Sequence, residues 1–583
     1  MLKNPISRAS LLAGACLVAI APFFWHGTAS GHDFEFHMFS WMEVFSQWKL
    51  GIAYPRWADL AHWGYGEARF LFYPPASWTL GAALGAILPW KMVPGAYCWI
   101  ALTLAGLSMY RLAREWLAPS TALFAALFYA LNPYYLLIVY WRSAYGELLA
   151  AILLPLLLLF LLQLYSPEAE THLRPTLCLG LTLAAAWLTN IPAALMIHYS
   201  AAGLALLVSV IMILQKTPAG VSGEGSDEGS DERPLRPRPL PPTRILIRVS
   251  FAILLGAGLA SFYLIPTIYE QRWINIAEVM SPGVRPQDNF LFTTLADLDH
   301  NRFNLLVSTV AVAEIGILVL AILFSKRKNQ LSADGLTCTA GRSAATPPWL
   351  LLSVWGLASG LLMVNVSNVL WLHLPELRYV QLPFRWLLCL NAALAILLAQ
   401  AAKRWSSRVL ACALLLAALM VAGYRFQLPW WDQSVDIREM SDAVADGTGY
   451  EGTDEYVPAG ADPYELNKGL AHISDDSGAR VQSEMLAWGP TEKHFTVHTA
   501  APQNITVRLF SYPAWAVVVN GKPMETQKTE VTGLLVIPIA VGDNDVRIRF
   551  HRTIDRGIGD GVSLISLGVF VVLWQTTRLK RKR

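Results

Sequence analysis

Four ionisable side chains follow the first apolar run of the chain, in the segment Gly31-His32-Asp33-Phe34-Glu35-Phe36-His37. The preceding run, residues 9–25, is hydrophobic, so these groups lie where a membrane-spanning segment would reach water. A carboxylate held at that boundary can act as a general base or as a metal ligand. The competing interpretation is an exposed polar loop that carries two acids.

A divalent metal ion is one alternative for this segment, because its two histidines and two acids can all ligate a cation. The candidate ligands are His32, Asp33, Glu35 and His37. Their spacing matches no specific metal motif, so the sequence does not require a cofactor. The cysteines also show no paired spacing that would indicate a disulfide framework or a zinc site.

A second acid and several arginines occur where later apolar runs begin or end: Arg142, Glu147, Arg378 and Arg385. Carboxylates beside arginines at one membrane face could activate a hydroxyl group and stabilise a departing phosphate. A planar guanidinium binds phosphate oxygens in pairs, which makes Arg378 or Arg385 a candidate clamp. For any single arginine, a loop salt bridge or a snorkelling side chain is the competing interpretation.

Glu314 differs from these groups because it lies in the middle of an apolar run, residues 303–324. A charge inside a membrane is expensive, so such a residue often belongs to the proton relay of a transporter. The alternative is a protonated or hydrogen-bonded side chain inside a helix bundle.

Composition places these residues in a polytopic membrane protein. The chain has 583 residues, of which 54% are hydrophobic and 15% are charged, and its mean hydropathy is +0.41. These values lie outside the usual range of soluble globular proteins. No nucleic-acid partner is expected.

The apolar runs give a topology when they are tested by the position of lysines and arginines. The runs are 9–25, 76–90, 93–112, 120–140, 148–165, 175–190, 193–215, 246–266, 303–324, 348–370, 386–402, 407–424 and 558–577. If run 76–90 does not cross, every basic cluster falls on the cytoplasmic side. We therefore predict about 12 spans, a re-entrant or interfacial helix over 76–90, and cytoplasmic termini.

The same reading divides the chain into regions. Residues 1–424 form a multi-span membrane domain with a large outer loop, 26–92, and a low-complexity, disordered cytoplasmic linker, 216–245. Residues 425–555 are more polar and contain alternating strand patterns, such as 505–510 and 546–550, with the turn signal Asn520-Gly521. We predict an extracytoplasmic β-sandwich there, followed by a final span and basic tail over 556–583.

Six short motifs in this order carry a family resemblance: Gly31-His32-Asp33, Phe72-Tyr73-Pro74-Pro75, Arg142-Ser143-Ala144-Tyr145-Gly146-Glu147, Leu188-Thr189-Asn190-Ile191-Pro192, Leu382-Pro383-Phe384-Arg385-Trp386 and Tyr450-Glu451-Gly452-Thr453-Asp454-Glu455-Tyr456. The sequence resembles the bacterial membrane family labelled "6-pyruvoyl-tetrahydropterin synthase-related" and, more broadly, the GT-C superfamily of membrane glycosyltransferases. No pterin chemistry is expected. The resemblance implies that Asp33 and Glu147 are the catalytic acids of the first and second outer loops.

The expected function follows from this resemblance. It is transfer of a sugar from a polyprenyl-phosphate-linked donor to an extracytoplasmic glycan, lipid or protein, in the bacterial cytoplasmic membrane. Around the two acids we place His32, Glu35, Arg142, Arg378 and Arg385 in the substrate site. The alternatives are a transporter or flippase of lipid-linked glycans, or a non-catalytic assembly factor with a sugar-binding β-domain.

Overall fold

A computed structural model describes residues 5–165, 172–215, 240–332 and 348–580. Its N-terminal helices are α1 (Pro5–Ala19), α2 (Phe23–His26), α3 (Phe34–Lys49), α4 (Ala61–Gly64), α5 (Arg69–Phe72), α6 (Pro75–Gly85), α7 (Val93–Ala113), α8 (Pro119–Ala130), α9 (Pro133–Leu137), α10 (Tyr145–Ala150) and α11 (Leu153–Gln163). The remaining helices are α12 (Arg174–Thr189), α13 (Ile191–Gln215), α14 (Pro242–Leu259), α15 (Ser261–Glu270), α16 (Leu298–Ser332), α17 (Pro348–Leu362), α18 (Asn368–His373), α19 (Leu387–Ala401), α20 (Trp405–Phe426), α21 (Ser434–Ala445) and α22 (Ile554–Lys580).

Ten helical stretches in the described part of the chain are long and apolar enough to cross a membrane. They are Ile6–His26, Trp90–Ala113, Pro119–Arg142, Tyr145–Gln163, Ile191–Leu214, Pro242–Leu259, Leu298–Ser325, Pro383–Ala401, Trp405–Phe426 and Ile554–Arg578. The pair Trp349–Leu362 and Asn365–His373 would add one more, but it is bent by 93°. The multi-pass helical fold is therefore confirmed, with about ten spans in place of twelve.

Two of the predicted spans account for this difference. Run 175–190 forms α12, whose 16 residues extend about 24 Å at 1.5 Å per residue. A bilayer core is about 30 Å thick, so α12 is short for a crossing. Run 348–370 breaks between α17 and α18. Both runs are apolar as predicted, but α12 is short and the second run is bent. The end of α12 at Thr189 nevertheless lies against Gly146, at the face where the span Tyr145–Gln163 begins, so α12 runs from one face of the helix bundle to the other.

The predicted first outer loop, residues 26–92, is packed by a pair of helices, α3 and α6. The 11 residues of α6 extend only about 16 Å, too little to cross a bilayer. Trp41 of α3 stacks on Tyr97 of α7, with ring centroids 5.1 Å apart. A side chain at Gly81 of α6 would collide with the Trp41 indole, so only glycine permits this approach. Helix α3 is thus buried among its neighbours.

The C-terminal β-domain contains two sheets with one shared core. Its strands, together with the pair β1 and β2, are β1 (Thr28–Ala29), β2 (Trp431–Asp432), β3 (Ile473–Ser474), β4 (Ser483–Trp488), β5 (Glu492–Thr499), β6 (Gln503–Phe510), β7 (Trp515–Val519), β8 (Lys522–Met524), β9 (Gln527–Lys528), β10 (Leu534–Ile539) and β11 (Gly542–Phe550). The sheet orders are β3-β6-β10-β9 and β4-β5-β11-β7-β8, and their inward residues form one apolar cluster. Asn520 and Gly521, both at positive φ, form the predicted hairpin turn between β7 and β8.

Residues 425–470 were predicted as part of the sandwich, yet the first segment of this stretch packs elsewhere. Helix α21 buries Ile437, Met440 and Val444 in the apolar cluster of the membrane domain. Their spacing of three and four residues places them on one helical face. Most of the predicted linker, residues 216–239, lies outside the described residues. Its last residues belong to α14, which begins at Pro242.

Buried ion pairs attach the β-domain to the rest of the chain. Lys493 of β5 contacts Asp59 of the first outer loop, Nζ to Oδ1, at 2.6 Å. Glu270 at the end of α15 receives two bonds from Arg556 of α22, at 2.7 and 2.8 Å. The Tyr512 hydroxyl donates to the same carboxylate at 2.5 Å. The outer loop, the β-domain and the last span are therefore held as one assembly.

A second buried network joins the outer loop to residues 450–453. Glu43 accepts a hydrogen bond from the Tyr450 hydroxyl at 2.5 Å, and burial raises the pKa of Glu43 to about 7. Glu67 forms an ion pair with Arg69 and accepts from the Thr453 backbone N–H at 2.8 Å. Burial acts to raise the Glu67 pKa, but Arg69, His62 and the Thr453 N–H together outweigh it and lower the pKa to about 2.

Candidate active site

The site is built on the turn that closes the span Pro119–Arg142. Asn132 begins α9, and its side chain accepts from the Tyr135 N–H, 2.9 Å away. The helix then continues as one wide π-helical turn, Ile138–Arg142, which ends at Ser143 with φ 51°. Such turns often occur at functional sites. This wide turn leaves the carbonyl groups of Trp141 and Arg142 free for another segment.

That other segment is the ionisable cluster after the first span. The N–H of His32 donates to the Trp141 carbonyl at 3.3 Å, and that of Asp33 donates to the Arg142 carbonyl at 2.9 Å. The Gly31 N–H donates to the Ser143 hydroxyl at 2.9 Å. A Cβ atom at Gly31 would overlap the backbone of Trp141 and Arg142, so only glycine allows the contact. Asp33 is thereby fixed beside Arg142.

Arg142 joins the two acids, which are far apart in sequence. Its Nη1 contacts Oε2 of Glu147 at 2.5 Å, and its Nη2 lies 3.5 Å from Oδ2 of Asp33. The two carboxylates differ in environment, because the side chain of Glu147 is 1% exposed and that of Asp33 is 40% exposed. Glu147 can hold neighbouring groups in place, whereas Asp33 can also reach a molecule in solvent.

A second guanidinium and a phenol complete the shell around Glu147. The Nε of Arg385 donates to Glu147 Oε2 at 3.2 Å, and its Nη1 donates to the Val380 carbonyl at 2.7 Å. The Tyr134 hydroxyl donates to the other carboxylate oxygen, Oε1. Both arginines are thus tied to one buried carboxylate. No described residue accepts a hydrogen bond from Nη2 of Arg385.

The remaining residues predicted for the site point in different directions. His32 packs against Phe303 and Trp430, with ring centroids 4.6 and 5.2 Å away. Arg378 is exposed and lies over the ring of the adjacent Tyr379 at 5.1 Å. Of the two arginines predicted as a phosphate clamp, the structure brings only Arg385 to the acids.

Glu35 also lies apart from this cluster. Partial desolvation and the neighbouring carboxylates of Asp432 and Glu451 raise the pKa of Glu35. Because Glu35 is two residues from Asp33 at the start of a helix, it projects about 200° around the axis from it. Its surroundings are acidic, unlike the arginine-rich surroundings of Asp33 and Glu147.

The four candidate metal ligands do not converge. Among the residues that the structure describes, no group of three or more His, Cys, Asp or Glu side chains is placed to hold a metal ion. His37 is buried among aromatic rings, 5.6 Å from Tyr73 and 5.2 Å from Tyr145. Burial lowers the pKa of His37 to about 4, so its imidazole is neutral at pH 7. The metal alternative for this segment gains no support from the arrangement.

Sequence reasoning missed two members of the site. Tyr134 lies inside an apolar run, where a tyrosine is an ordinary core residue, yet its hydroxyl binds Glu147. The signal was the helix-start pattern Asn132-Pro133, which shows that the run contains a turn. Gln381, whose Oε1 accepts from Arg385 Nη1 at 3.1 Å, stands at a positive φ of 63° that sequence does not reveal.

Comparison with known proteins gives similarity to solved structures only. No family model matches the chain, and no curated protein sequence matches it. Arabinofuranosyltransferase AftD from Mycobacteria aligns with 72% of this chain and 28% of its own, at 17% identity and a TM-score of 0.38. Archaeoglobus fulgidus oligosaccharyltransferase AglB, bound to an inhibitory peptide and a dolichol-phosphate, aligns with 77% of this chain and 56% of its own, at 13% identity and a TM-score of 0.39.

Another structure of the A. fulgidus oligosaccharyltransferase, in complex with Zn and sulfate, covers 77% of this chain and 54% of its own. Its identity is 14% and its TM-score 0.36. The chain therefore spans little more than a quarter of AftD and about half of the oligosaccharyltransferase. Identities and scores this low assign no activity, and the narrower family resemblance has only the sequence motifs behind it.

Proposed function

We propose that this chain is an integral membrane glycosyltransferase that uses a polyprenyl-phosphate-linked sugar and an extracytoplasmic acceptor. The observation that carries the proposal is the arrangement of Asp33, Arg142, Glu147 and Arg385. Two guanidinium groups share one buried carboxylate, and a partly exposed carboxylate stands beside them. Asp33 can therefore act as a base, and the two guanidinium groups carry more positive charge than Glu147 alone neutralises.

In this reaction, Asp33 accepts the proton of an acceptor hydroxyl. The freed oxygen forms a bond to the anomeric carbon of the sugar while the bond from that carbon to the lipid phosphate breaks. The departing polyprenyl phosphate takes the electron pair, and Arg142 and Arg385 stabilise its developing charge. Glu147 holds both guanidinium groups in position, and Tyr134 orients Glu147. The β-domain would act on the acceptor side.

The location of the site supports a lipid-linked donor. Arg142 ends one candidate span, Glu147 begins the next, and Arg385 begins a third. The three residues are thus at the same end of neighbouring spans, where a polyprenyl chain in the bilayer would present its phosphate. With this face placed on the outer side, both termini are cytoplasmic, as the basic clusters favour. The bacterial cytoplasmic membrane is the matching location.

The transporter alternative depended on Glu314, and its contacts do not favour that role. Its Oε2 accepts from the Asn391 amide at 2.7 Å, and its Oε1 accepts from the Tyr134 backbone N–H at 3.2 Å. Both carboxyl oxygens are therefore engaged in tying α16 to α19 and to the start of α9. A fixed contact between helices explains Glu314 without a transported ion.

The test replaces Asp33 with Asn in the full-length protein in nanodiscs. The substrates are a panel of undecaprenyl-phosphate-linked sugars with a mixture of glycan, lipid and peptide acceptors, and mass spectrometry measures released undecaprenyl phosphate. We expect release by the unaltered protein and about 10²-fold less from Asp33→Asn, because loss of a general base costs 10²–10⁴-fold.

The matched control is Asp299→Asn, which also removes an arginine-paired aspartate. Asp299 contacts Arg302 at 2.9 Å, but its side chain is 82% exposed. Release by this variant should equal that of the unaltered protein. Full activity of Asp33→Asn would refute the assigned role of Asp33. The protein is also placed in liposomes of the same lipid composition as the nanodiscs. Movement of the intact lipid-linked sugar from one leaflet to the other, without release of undecaprenyl phosphate, would replace the proposal with the flippase alternative.

A further inference from the structure

A cavity of about 330 Å³ lies away from the candidate active site, where three parts of the chain meet. The first outer loop, the turn before β5 and the junction of β11 with α22 form its walls. Gln47 near the end of α3 lines the cavity, whereas Asp33 immediately precedes that helix. Fourteen residues of helix separate them by about 21 Å. The cavity is therefore a separate place from the proposed catalytic centre.

Three arginines line this cavity, and two of them have carboxylate partners. Arg556 binds Glu270 through both Nε and Nη2, and Arg552 forms an ion pair with Asp560. Both of these positive charges are thus balanced. The wall also carries the aromatic side chains of Tyr54, Trp57 and Phe550.

Arg56 is the third arginine, and its charge is not balanced. Its guanidinium lies over the ring of Tyr54, 4.3 Å from the centroid, and the side chain is half-buried. Of the residues that the structure describes, none forms an ion pair or hydrogen bond with it. Burial lowers the pKa of Arg56, which reflects the cost of holding this charge away from water. The cavity as a whole has a net positive charge.

The cavity also lies at the level where lipid headgroups meet water. The last candidate span, Ile554–Arg578, begins at its wall, so Arg556 lies two residues inside that span and Arg552 two residues outside it. Tyrosine and tryptophan are enriched where spans meet the interface, and Tyr54 and Trp57 line this wall. An anionic group attached to the bilayer surface could enter without leaving the membrane.

We propose that this cavity binds a phosphate mono- or diester through Arg56, beside the ion-paired guanidinium groups of Arg552 and Arg556. Phosphate fits because its oxygens match the planar guanidinium fork. It also supplies a negative charge to pair with the positive charge of Arg56. The phosphate could be carried by an anionic lipid headgroup or by a soluble phosphorylated molecule. This assignment does not depend on the proposed glycosyltransferase activity.

The test measures thermal stabilisation of the full-length protein in dodecyl maltoside by three probes. They are dihexanoyl phosphatidylglycerol, dihexanoyl phosphatidylcholine and inorganic phosphate. Arg56→Gln should weaken the apparent affinity for the anionic probe at least about tenfold, because hydrogen bonds to charged groups contribute that much or more. The control is Arg425→Gln, which removes the charge of an exposed arginine in the last turn of a candidate span, away from the cavity, and should bind as the unaltered protein does.

A second variant moves the affinity in the opposite direction. Asp560→Asn removes the carboxylate that neutralises Arg552, so the anionic probe should bind at least about threefold more tightly. A structural defect would not increase affinity, so this result remains informative even if Arg56→Gln does not fold.

The probes also separate the two sources of phosphate. Stabilisation by phosphatidylglycerol alone assigns the cavity to a lipid headgroup, and equal stabilisation by inorganic phosphate assigns it to a soluble molecule. If neither phosphatidylglycerol nor inorganic phosphate stabilises the protein, the proposal is overturned. Loss of binding in Arg425→Gln equal to that in Arg56→Gln would overturn it too, and so would weaker binding by Asp560→Asn.

Discussion

Replacement of Glu147 with Gln tests the central electrostatic feature of the site without any knowledge of the substrate. In the folded chain this carboxylate contacts Arg142 at 2.5 Å and Arg385 at 3.2 Å, and it is almost fully buried. Glutamine keeps the shape but removes the charge, so two buried guanidinium groups lose their shared partner. Breaking a buried ion pair in this way costs about 3–5 kcal/mol.

The assay is unfolding of the full-length protein by SDS in mixed micelles, followed by tryptophan fluorescence. The matched control is Glu492→Gln in β5, whose carboxylate also contacts an arginine at 2.9 Å, but with the arginine 63% exposed. An exposed pair contributes at most about 1 kcal/mol, so this variant should be close to the unaltered protein.

A double variant then separates charge from packing. If Glu147 and Arg385 interact directly, Glu147→Gln together with Arg385→Gln should be less destabilised than the sum of the single changes. Residues in one ion-pair network show coupling of about 0.5–3 kcal/mol. A loss below about 1 kcal/mol for Glu147→Gln, or strict additivity with Arg385→Gln, would refute the argument.

Three further predictions address the pH response, the bundle and the topology. Because the folded pKa of Glu43 is raised from 4.5 to about 7, its contribution to stability is fully present below pH 4.5 and is lost as pH rises through 7. The thermal midpoint of the unaltered protein should therefore fall between pH 5 and 8, and Glu43→Gln should flatten that fall; an unchanged slope would contradict the assignment. Glu314→Gln should leave released undecaprenyl phosphate within about twofold of the unaltered protein, since its contacts are structural; loss of release would revive the transporter alternative. A cysteine at Lys91, exposed in the turn before α7, should react with an impermeant thiol reagent added outside intact cells, and reaction only after permeabilisation would place the loop in the cytoplasm.

The parts of the site that depend on membrane boundaries could be anticipated from the sequence. The predicted topology put Asp33 and Glu147 at one face of the bilayer, and the family resemblance singled them out among the acids there. The structure places both on Arg142. Helix geometry alone also predicts that the candidate metal ligands do not all face one point. Asp33 and His37 are one turn apart, whereas Glu35 lies between them on the opposite side.

Other features depended on conformations that composition does not determine. Arg378 and Arg385 had equal claims in the sequence, and backbone turns that include Gln381 at positive φ decide which arginine faces Glu147. In the sequence Tyr134 cannot be distinguished from an ordinary core tyrosine, because nothing there shows that its hydroxyl binds Glu147. The β-domain followed from alternating patterns and the Asn520 turn, because both are local signals.

The short pairing of β1 with β2 bears on when the protein can become active during its synthesis. Thr28 lies opposite Asp432, and the Ser30 N–H donates to the Trp430 carbonyl at 3.0 Å. The loop that carries Asp33 is thus closed by a segment about 400 residues later, which takes roughly 20–80 s to synthesise at 5–20 residues per second. Until then the earliest loop in the chain has no strand partner, and nascent chains that end within α20 would never acquire one. Synthesis through β2 is therefore required before this face of the protein can assemble.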